Sequence, residues 1–502
     1  MTAAPPPASM WRLVERAATE RSDAVLLTDD HGRSLTARQL RDEAERVAAA
    51  LHASGVTTGQ VLSWQLPTVL EAPVLMAACA RLGVVQNPII PLLREREVGL
   101  ITTQVRPDLV VVPATWRGFD HAAMVCDLGL PLLELELDDA PTGPLRLPGG
   151  DVAALPATPD PADGECRWIY YSSGTTSDPK GVRHTDPSVL AGSNGVVDLL
   201  GLSDGDVYPI AWPIAHIGGV AMLGGVLRAG GTLALFDRFD PATTAIRMAA
   251  HRPTVLGSAT PFFRAYVAAQ RRHGAEPLYP HLRVCVGGGA PTPSEVDREV
   301  AEALGVTGVT GAWGLTELPV ATSEVPDDPD VGTSVGRPAT GVEVRVVDGE
   351  LRLKGPQCFL GYVDASLDAA AFDDEGWFRT GDLGRVDADG RVHVDGRTKD
   401  VIIRNAENVS ALEVEEVVLR HPAVADATVL GVPDEGTGER VAAVVVLHEG
   451  AALDLPDLAE HCAAEGLARY KRPERLDVVA QIPRNSMGKI LKDQLRSALA
   501  PS

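Results

Sequence analysis

Between residues 61 and 112 short apolar runs alternate with helical patterns, and this alternation leaves the chain few architectures. Val61-Leu-Ser-Trp-Gln-Leu66 reads as a strand, Val69 to Leu82 as a helix, Val84 to Ile90 as a second strand and Leu109-Val-Val-Val112 as a third. Upstream, Ala37 to Leu51 repeats apolar positions every third or fourth residue behind the short strand Ser34-Leu35-Thr36, with Thr36 placed as an N-cap. Strands and helices at this spacing predict α/β layers on largely parallel sheets. At 502 residues the chain exceeds one ordinary core, so two or more domains are expected.

The stretch from Trp168 to His184 carries the first chemical signal. Trp168-Ile169-Tyr170-Tyr171 reads as a strand running into Ser172-Ser173-Gly174-Thr175-Thr176-Ser177-Asp178-Pro179-Lys180-Gly181. Glycine lets backbone N–H groups turn towards an anion, the hydroxyls add donors and Lys180 adds a mobile positive charge. A Walker loop is excluded by the order Lys180-Gly181. The stretch is a phosphate-holding loop or, more blandly, a Ser/Gly surface loop.

Charge and cysteine usage narrow the partners. A formal net charge of −23 argues against nucleic acid, whose backbone calls for clustered Lys and Arg. It leaves a small anionic substrate possible, because a few local basic groups suffice. Cys79, Cys126, Cys166, Cys285, Cys358 and Cys462 form no CxxC pair, which suits reduced thiols in a cytoplasmic protein. The N-terminus lacks a signal-peptide pattern, and the apolar stretch from Ala211 to Phe236 is broken by His216, Arg228 and glycines, so it reads as core. The sequence does not distinguish a monomer from a homodimer.

Further motifs follow in order. Trp212-Pro-Ile-Ala-His216 sits in an apolar setting, where a lone His is as readily a core residue as a functional one. Arg283-Val-Cys-Val-Gly287-Gly288-Gly289-Ala290-Pro291 is a strand ending in a glycine-rich turn. In Gly311-Ala312-Trp313-Gly314-Leu315-Thr316-Glu317 a Thr hydroxyl can bond a phosphate and a Glu can hold Mg²⁺, although Thr-Glu is also a common helix start. Gly349 to Tyr362 suggests a hairpin scaffold. Asp382, in Gly376-Trp-Phe-Arg-Thr-Gly-Asp382, offers an acceptor-only carboxylate or a turn Asp. Gly396-Arg397-Thr398-Lys399-Asp400 and Asn485-Ser-Met-Gly488-Lys489 close the series.

Taken together and in this order, these motifs resemble the adenylate-forming (AMP-binding) superfamily of acyl-CoA synthetases, adenylation domains and luciferases. The resemblance implies a large N-terminal domain (1–396) of layered α/β sheets plus a β-barrel-like part. A hinge (397–400, centred on Lys399) and a small mobile α+β C-terminal domain (401–502) would follow. It implies an acid:CoA ligase using ATP, Mg²⁺ and CoA, with a medium-chain, alicyclic or aromatic acid as substrate. Ser172 to Thr176, Lys180, Gly289, Ala290, Pro291, Gly311 to Gly314, Thr316, Asp382, Arg397 and Lys489 would bind ATP. Within that set Asp382 would take the ribose, and Glu317 would hold the metal. Lys489, Thr316, Glu317 and Lys180 would be catalytic. Trp212, His216, Gly287, Gly288, Trp313, Leu318 and Val320 would line the acyl pocket, and Ala406, Glu407 and Asn408 the CoA channel. Three departures are visible: Ser177 for Gly, Trp313 for Tyr, and Asn405-Ala406 for Gly-Gly. A carrier-protein thiol acceptor, a luciferase-like oxygenase and a non-catalytic nucleotide-binding module are the alternatives.

Overall fold

A computed structural model describes residues 9–137, 141–172, 179–289, 292–326, 328, 330–405, 407–434, 436–485 and 488–499. The helix expected behind Thr36 runs Ala37–Ala53. The Gln39 N–H donates to the Thr36 hydroxyl and the Thr36 N–H donates to the Gln39 side chain. This reciprocal pair satisfies two donors that a helix start leaves open and stabilises it by about 1 kcal/mol.

Among the described residues, a seven-stranded sheet runs in the order Gly361–Tyr362, Lys180–His184, Trp168–Ser172, Val85–Pro88, Val61–Trp64, Leu109–Pro113, Leu132–Leu135. From Trp168–Ser172 to Leu132–Leu135 its strands pair in parallel, as the alternation predicts. Lys180–His184 folds back antiparallel on Trp168–Ser172, with Lys180 opposite Ser172. The lysine and the first hydroxyl of the motif are thereby fixed side by side.

A second sheet begins with the parallel strands Val255–Ser258, Val284–Gly288 and Val309–Trp313, then adds Thr322–Ser323 and Arg337–Pro338 antiparallel. A third combines Val207–Ile210, Thr232–Leu235, Val25–Asp29 and Ser34–Thr36. The barrel-like part is an antiparallel sheet of Glu343–Val347, Glu350–Lys354, Phe378–Val386 and Val392–Arg397. Its first hairpin turns on Asp348 and Gly349, at φ 52° and 81°. Two left-handed residues match the twist of the flanking strands, and Asp-Gly adopts them at low cost.

The 3-10 turn Thr398–Asp400 separates this sheet from the C-terminal strand Val401–Arg404. Beyond it, Ile402, Val414, Val429, Val441 and Leu458 build an apolar cluster of their own. Among the described residues, the clusters before and after the turn share no member. The strand Val424–Asp434 is long because its partner Gly438–Leu447 supplies a ladder along the whole length. No described helix is long and apolar enough to cross a membrane.

Candidate active site

A cavity of about 780 Å³ opens at the carboxyl ends of the three parallel strands of the second sheet, where Ser258, Gly288 and Trp313 reach its wall. Strand ends of parallel sheets are where backbone groups stop pairing and become available to ligands. The antiparallel sheet adds Arg379 and Arg397 to the wall, and the C-terminal segment adds Lys399, Asn485 and Lys489. Motifs far apart in sequence therefore share one enclosure.

Thr316 and Glu317 enter through the loop after Val309–Trp313. The Thr316 carbonyl accepts from His184 Nε2 at 2.8 Å, and His184 Nδ1 lies 3.0 Å from the Ser188 hydroxyl. Burial pushes His184 down to about 4, so the ring is neutral at pH 7 and serves as an anchor. Glu317 is buried, which raises its pKa; the Tyr362 hydroxyl donates to Oε1 at 2.8 Å and favours the ionised form, helped by Arg397 and Lys180. Lys180 Nζ stands 5.6 Å from the Tyr362 ring centroid, within cation–π range. Sequence reasoning gave His184 and Tyr362 no role. A lone His at a strand end and a Tyr in a scaffold hairpin carry no local signal of their partners.

Asp382 and Arg397 face each other across the Phe378–Val386 and Val392–Arg397 strands, and Arg397 Nε donates to Asp382 Oδ1 at 2.6 Å. Trp313 Nε1 donates to Asp382 Oδ2 at 2.9 Å. The indole that replaces the usual Tyr thus orients the buried carboxylate. Asp382 stands just behind the wall that its two partners reach.

Lys489 sits on a turn clipped by its own neighbours. Its N–H donates to Asn485 Oδ1 at 2.9 Å and its carbonyl accepts from the Asn485 N–H at 2.8 Å. Gly488, at φ 81°, packs so closely on the large domain that a Cβ there would lie 3.3 Å from that of Ala259. Burial first, then Arg397 and Lys399, push the Lys489 ammonium down to about 8, while Asp382 and Asp400 oppose the shift. The same two effects, burial and Arg397, lower Lys399.

At the other end, Trp212, His216, Gly287, Gly288 and Val320 all reach the wall. His216 caps the helix Ile217–Ala229: its Nδ1 accepts from the Gly218 N–H at 3.2 Å, and burial pushes it down to about 4. Gly314 is forced by space, since a Cβ there would lie 2.6 Å from the Val320 nitrogen. Val320 itself holds φ 54°, a costly conformation for a β-branched residue.

Other expected residues stand elsewhere. Leu318 is fully buried in the cluster with Val182 and Phe359 and does not reach the cavity, because its side chain turns into the core beneath the loop. Gly311 is also off the wall; its N–H donates to Glu324 Oε2 at 2.7 Å, while Ala312 and Gly289 do line the cavity. Glu407 and Asn408 are exposed on the strand Glu407–Ser410, away from the cavity that Lys489 enters. Ser172 lines the cavity, but Ser173, Gly174, Thr175, Thr176, Ala290, Pro291 and Ala406 lie outside the described residues. Conversely Val196, Leu199, Tyr208, Ala221 and Met222 line it although no motif marked them.

Residues 14–363 match the family described as AMP-binding enzyme, and residues 413–489 match the AMP-binding enzyme C-terminal domain. The chain belongs to the AMP-binding enzymes, in their acyl-CoA synthetase branch. This AMP-binding enzyme is 32% identical over 517 residues to the medium-chain fatty-acid–CoA ligase of Escherichia coli K12, covering 97% of this chain and 89% of that protein. It is 32% identical over 506 residues to the 3-[(3aS,4S,7aS)-7a-methyl-1,5-dioxo-octahydro-1H-inden-4-yl]propanoyl:CoA ligase of Mycobacterium tuberculosis H37Rv, covering 98% of each chain. Its fold matches ATP-bound MatB from Rhodopseudomonas palustris with a TM-score of 0.85 at 29% identity, over 97% of this chain and 98% of that one.

Proposed function

We propose that this AMP-binding enzyme is an ATP-dependent acid:CoA ligase in which Lys489 serves the first of two half-reactions. What carries the reading is one cavity that gathers Lys180, Thr316, Glu317, Arg397 and Lys489 at one end and an apolar chamber at the other. In the first half-reaction a carboxylate oxygen of the acid bonds to the α-phosphorus of ATP, the bond to the bridging oxygen breaks, and pyrophosphate leaves. The carboxylate is already a nucleophile, so positioning and charge neutralisation are the main tasks. Lys489 and the Thr316 hydroxyl face the α-phosphate, Lys180 the outgoing phosphates, and Asp382 with Trp313 and Arg397 the ribose.

Among the described residues no three His, Cys, Asp or Glu side chains gather as a metal site. Magnesium accepts one or two carboxylates with phosphate oxygens, which the lone Glu317 beside a triphosphate fits. Held there by Glu317, Mg²⁺ would neutralise phosphate charge. The acid sits against Trp212, His216, Gly288 and Val320, in a bounded apolar chamber suited to medium-chain, alicyclic or aromatic acids.

In the second half-reaction a thiol sulfur attacks the acyl carbon, its proton leaves and AMP departs. The Thr398–Asp400 turn, with Lys399 at its centre, is the hinge on which residues 401–502 swing to withdraw Lys489 and bring Glu407 and Asn408 to CoA. The separate apolar clusters on either side of that turn support this division. Pyrophosphate release and thioester formation across an acid panel, each with and without CoA, test the reading. Acid-dependent release that yields acyl-CoA is the expected result. Release without thioester points to a carrier-protein thiol, and no release with any acid to a nucleotide-binding module.

A further inference from the structure

The helix Ile217–Ala229 passes two cavities in succession. On one face Gly218, Ala221 and Met222 reach the wall of the large cavity at its apolar end. Further along the same face, Met222, Val226 and Ala229 line a second cavity of about 10 Å³, together with Leu202 and Leu233. The two cavities thus lie one after the other along a single helix. Among the described residues only Met222 and Tyr208 line both, so these two side chains form the partition between them.

The two halves of the partition differ in freedom. Tyr208 is 4% exposed and stands on the strand Val207–Ile210, paired with Leu233. Its hydroxyl lies so close to Gly257 that a Cβ there would be 2.3 Å from it, which leaves the ring no room to move that way. Met222 is half-buried and packs on the cluster of Val196, Leu200 and Ala221. Its unbranched thioether fills the remaining gap by shape alone. These neighbours are uncharged, so a chain that reaches Met222 is measured by its length. The only charged residue lining the void behind, Asp206, is engaged by Arg283 Nε at 2.7 Å.

We infer that Met222 is the length stop of the acyl chamber: the acid taken by this enzyme ends against its thioether, and the void behind becomes available only when that side chain is shortened. The inference rests on the acid:CoA ligase reading and bounds its substrate class. Up to the stop, each further methylene of the acid buries apolar surface and is worth about fourfold in affinity. Past it, the chain must push Met222 into packed neighbours, and affinity falls about 10-fold or more. Cutting methionine back to alanine removes about three chain atoms, which with the void makes room for about two to three methylenes.

The test uses acyl-sulfamoyl adenosines, stable mimics of the acyl-adenylate, so that it does not depend on turnover. A linear series runs from butanoyl to tetradecanoyl, and a ring series from 4-methylbenzoyl to 4-hexylbenzoyl. Calorimetric Kd values on the full-length enzyme should improve with length to a limit and then worsen. In Met222→Ala that limit is expected to move about two to three methylenes longer, and in Met222→Phe to move shorter. Val196→Ala, on the wall but not on the partition, should leave it in place. The phenylalanine variant reads the same stop in the opposite direction should the alanine variant fail to fold. A limit that stays put in both Met222 variants overturns the inference and leaves the ligase reading standing. So does a limit that moves as far in Val196→Ala, or a wild-type series with no limit. If no member of either series binds, the ligase reading fails and takes the inference with it.

Discussion

Replacing Lys489 with alanine separates the two half-reactions, and the structure sets the size of each effect. The ammonium is enclosed beside Arg397 and Lys399 and is held at about 8, against an ordinary 10.5. As pH rises through this value the charge is lost: about nine-tenths of the side chains are charged at pH 7 and about one-tenth at pH 9. If the charged form is the one that meets the α-phosphate, kcat/KM for acid-dependent pyrophosphate release falls tenfold per unit above pH 8. The limb in kcat lies higher, since bound ATP brings negative charge that favours the ammonium. Lys489→Ala removes a pre-placed donor, so release should drop about 10²- to 10³-fold and lose the alkaline limb. Thioester formation from supplied acyl-adenylate and CoA should stay within a few fold. The assay is pyrophosphate release from pH 6 to 10 alongside acyl-CoA formation by chromatography. Equal loss in both half-reactions would refute the alternation, and a flat wild-type profile to pH 10 would refute the charge argument.

Further outcomes follow from individual contacts. Tyr362→Phe removes the donor that favours ionised Glu317, so the Glu317 carboxyl rises further; the acid limb of pyrophosphate release should move to higher pH and half-saturating Mg²⁺ should increase about 10-fold. An unmoved acid limb would dissociate Tyr362 from Glu317. Trp313→Phe deletes the N–H on Asp382, and KM for ATP is expected to rise about 5- to 10-fold with little change in kcat; a rise confined to the acid's KM would place Trp313 in the acyl chamber alone. Gly314→Ala puts a Cβ 2.6 Å from the Val320 nitrogen, against backbone that cannot yield cheaply. It should destabilise the protein by about 1–3 kcal/mol, read as a lower melting temperature; an unchanged melt would contradict the packing.

What the sequence alone determined was local. Residue periodicity placed the strands Val61–Trp64 and Leu109–Pro113 and the helix behind Thr36, because a half-buried element writes its repeat into the chain. The motif order identified the adenylate-forming family, but the space that forces Gly314 was not readable before its neighbour Val320 was known. Partners distant in sequence were not legible. Trp313 reads as a departure from a pattern; only the approach of two paired strands to the end of a third brings Asp382, held by Arg397, to its indole. Leu318 reads as one more pocket residue beside Glu317, yet the tight loop closed by Gly314 turns it into the core. Tyr208 and Gly257 lie on strands of different sheets, so the close approach of the phenol hydroxyl to that glycine depends on how the two sheets meet. Backbone conformation is encoded in neighbours along the chain, whereas a site is a coincidence of surfaces that only tertiary packing creates.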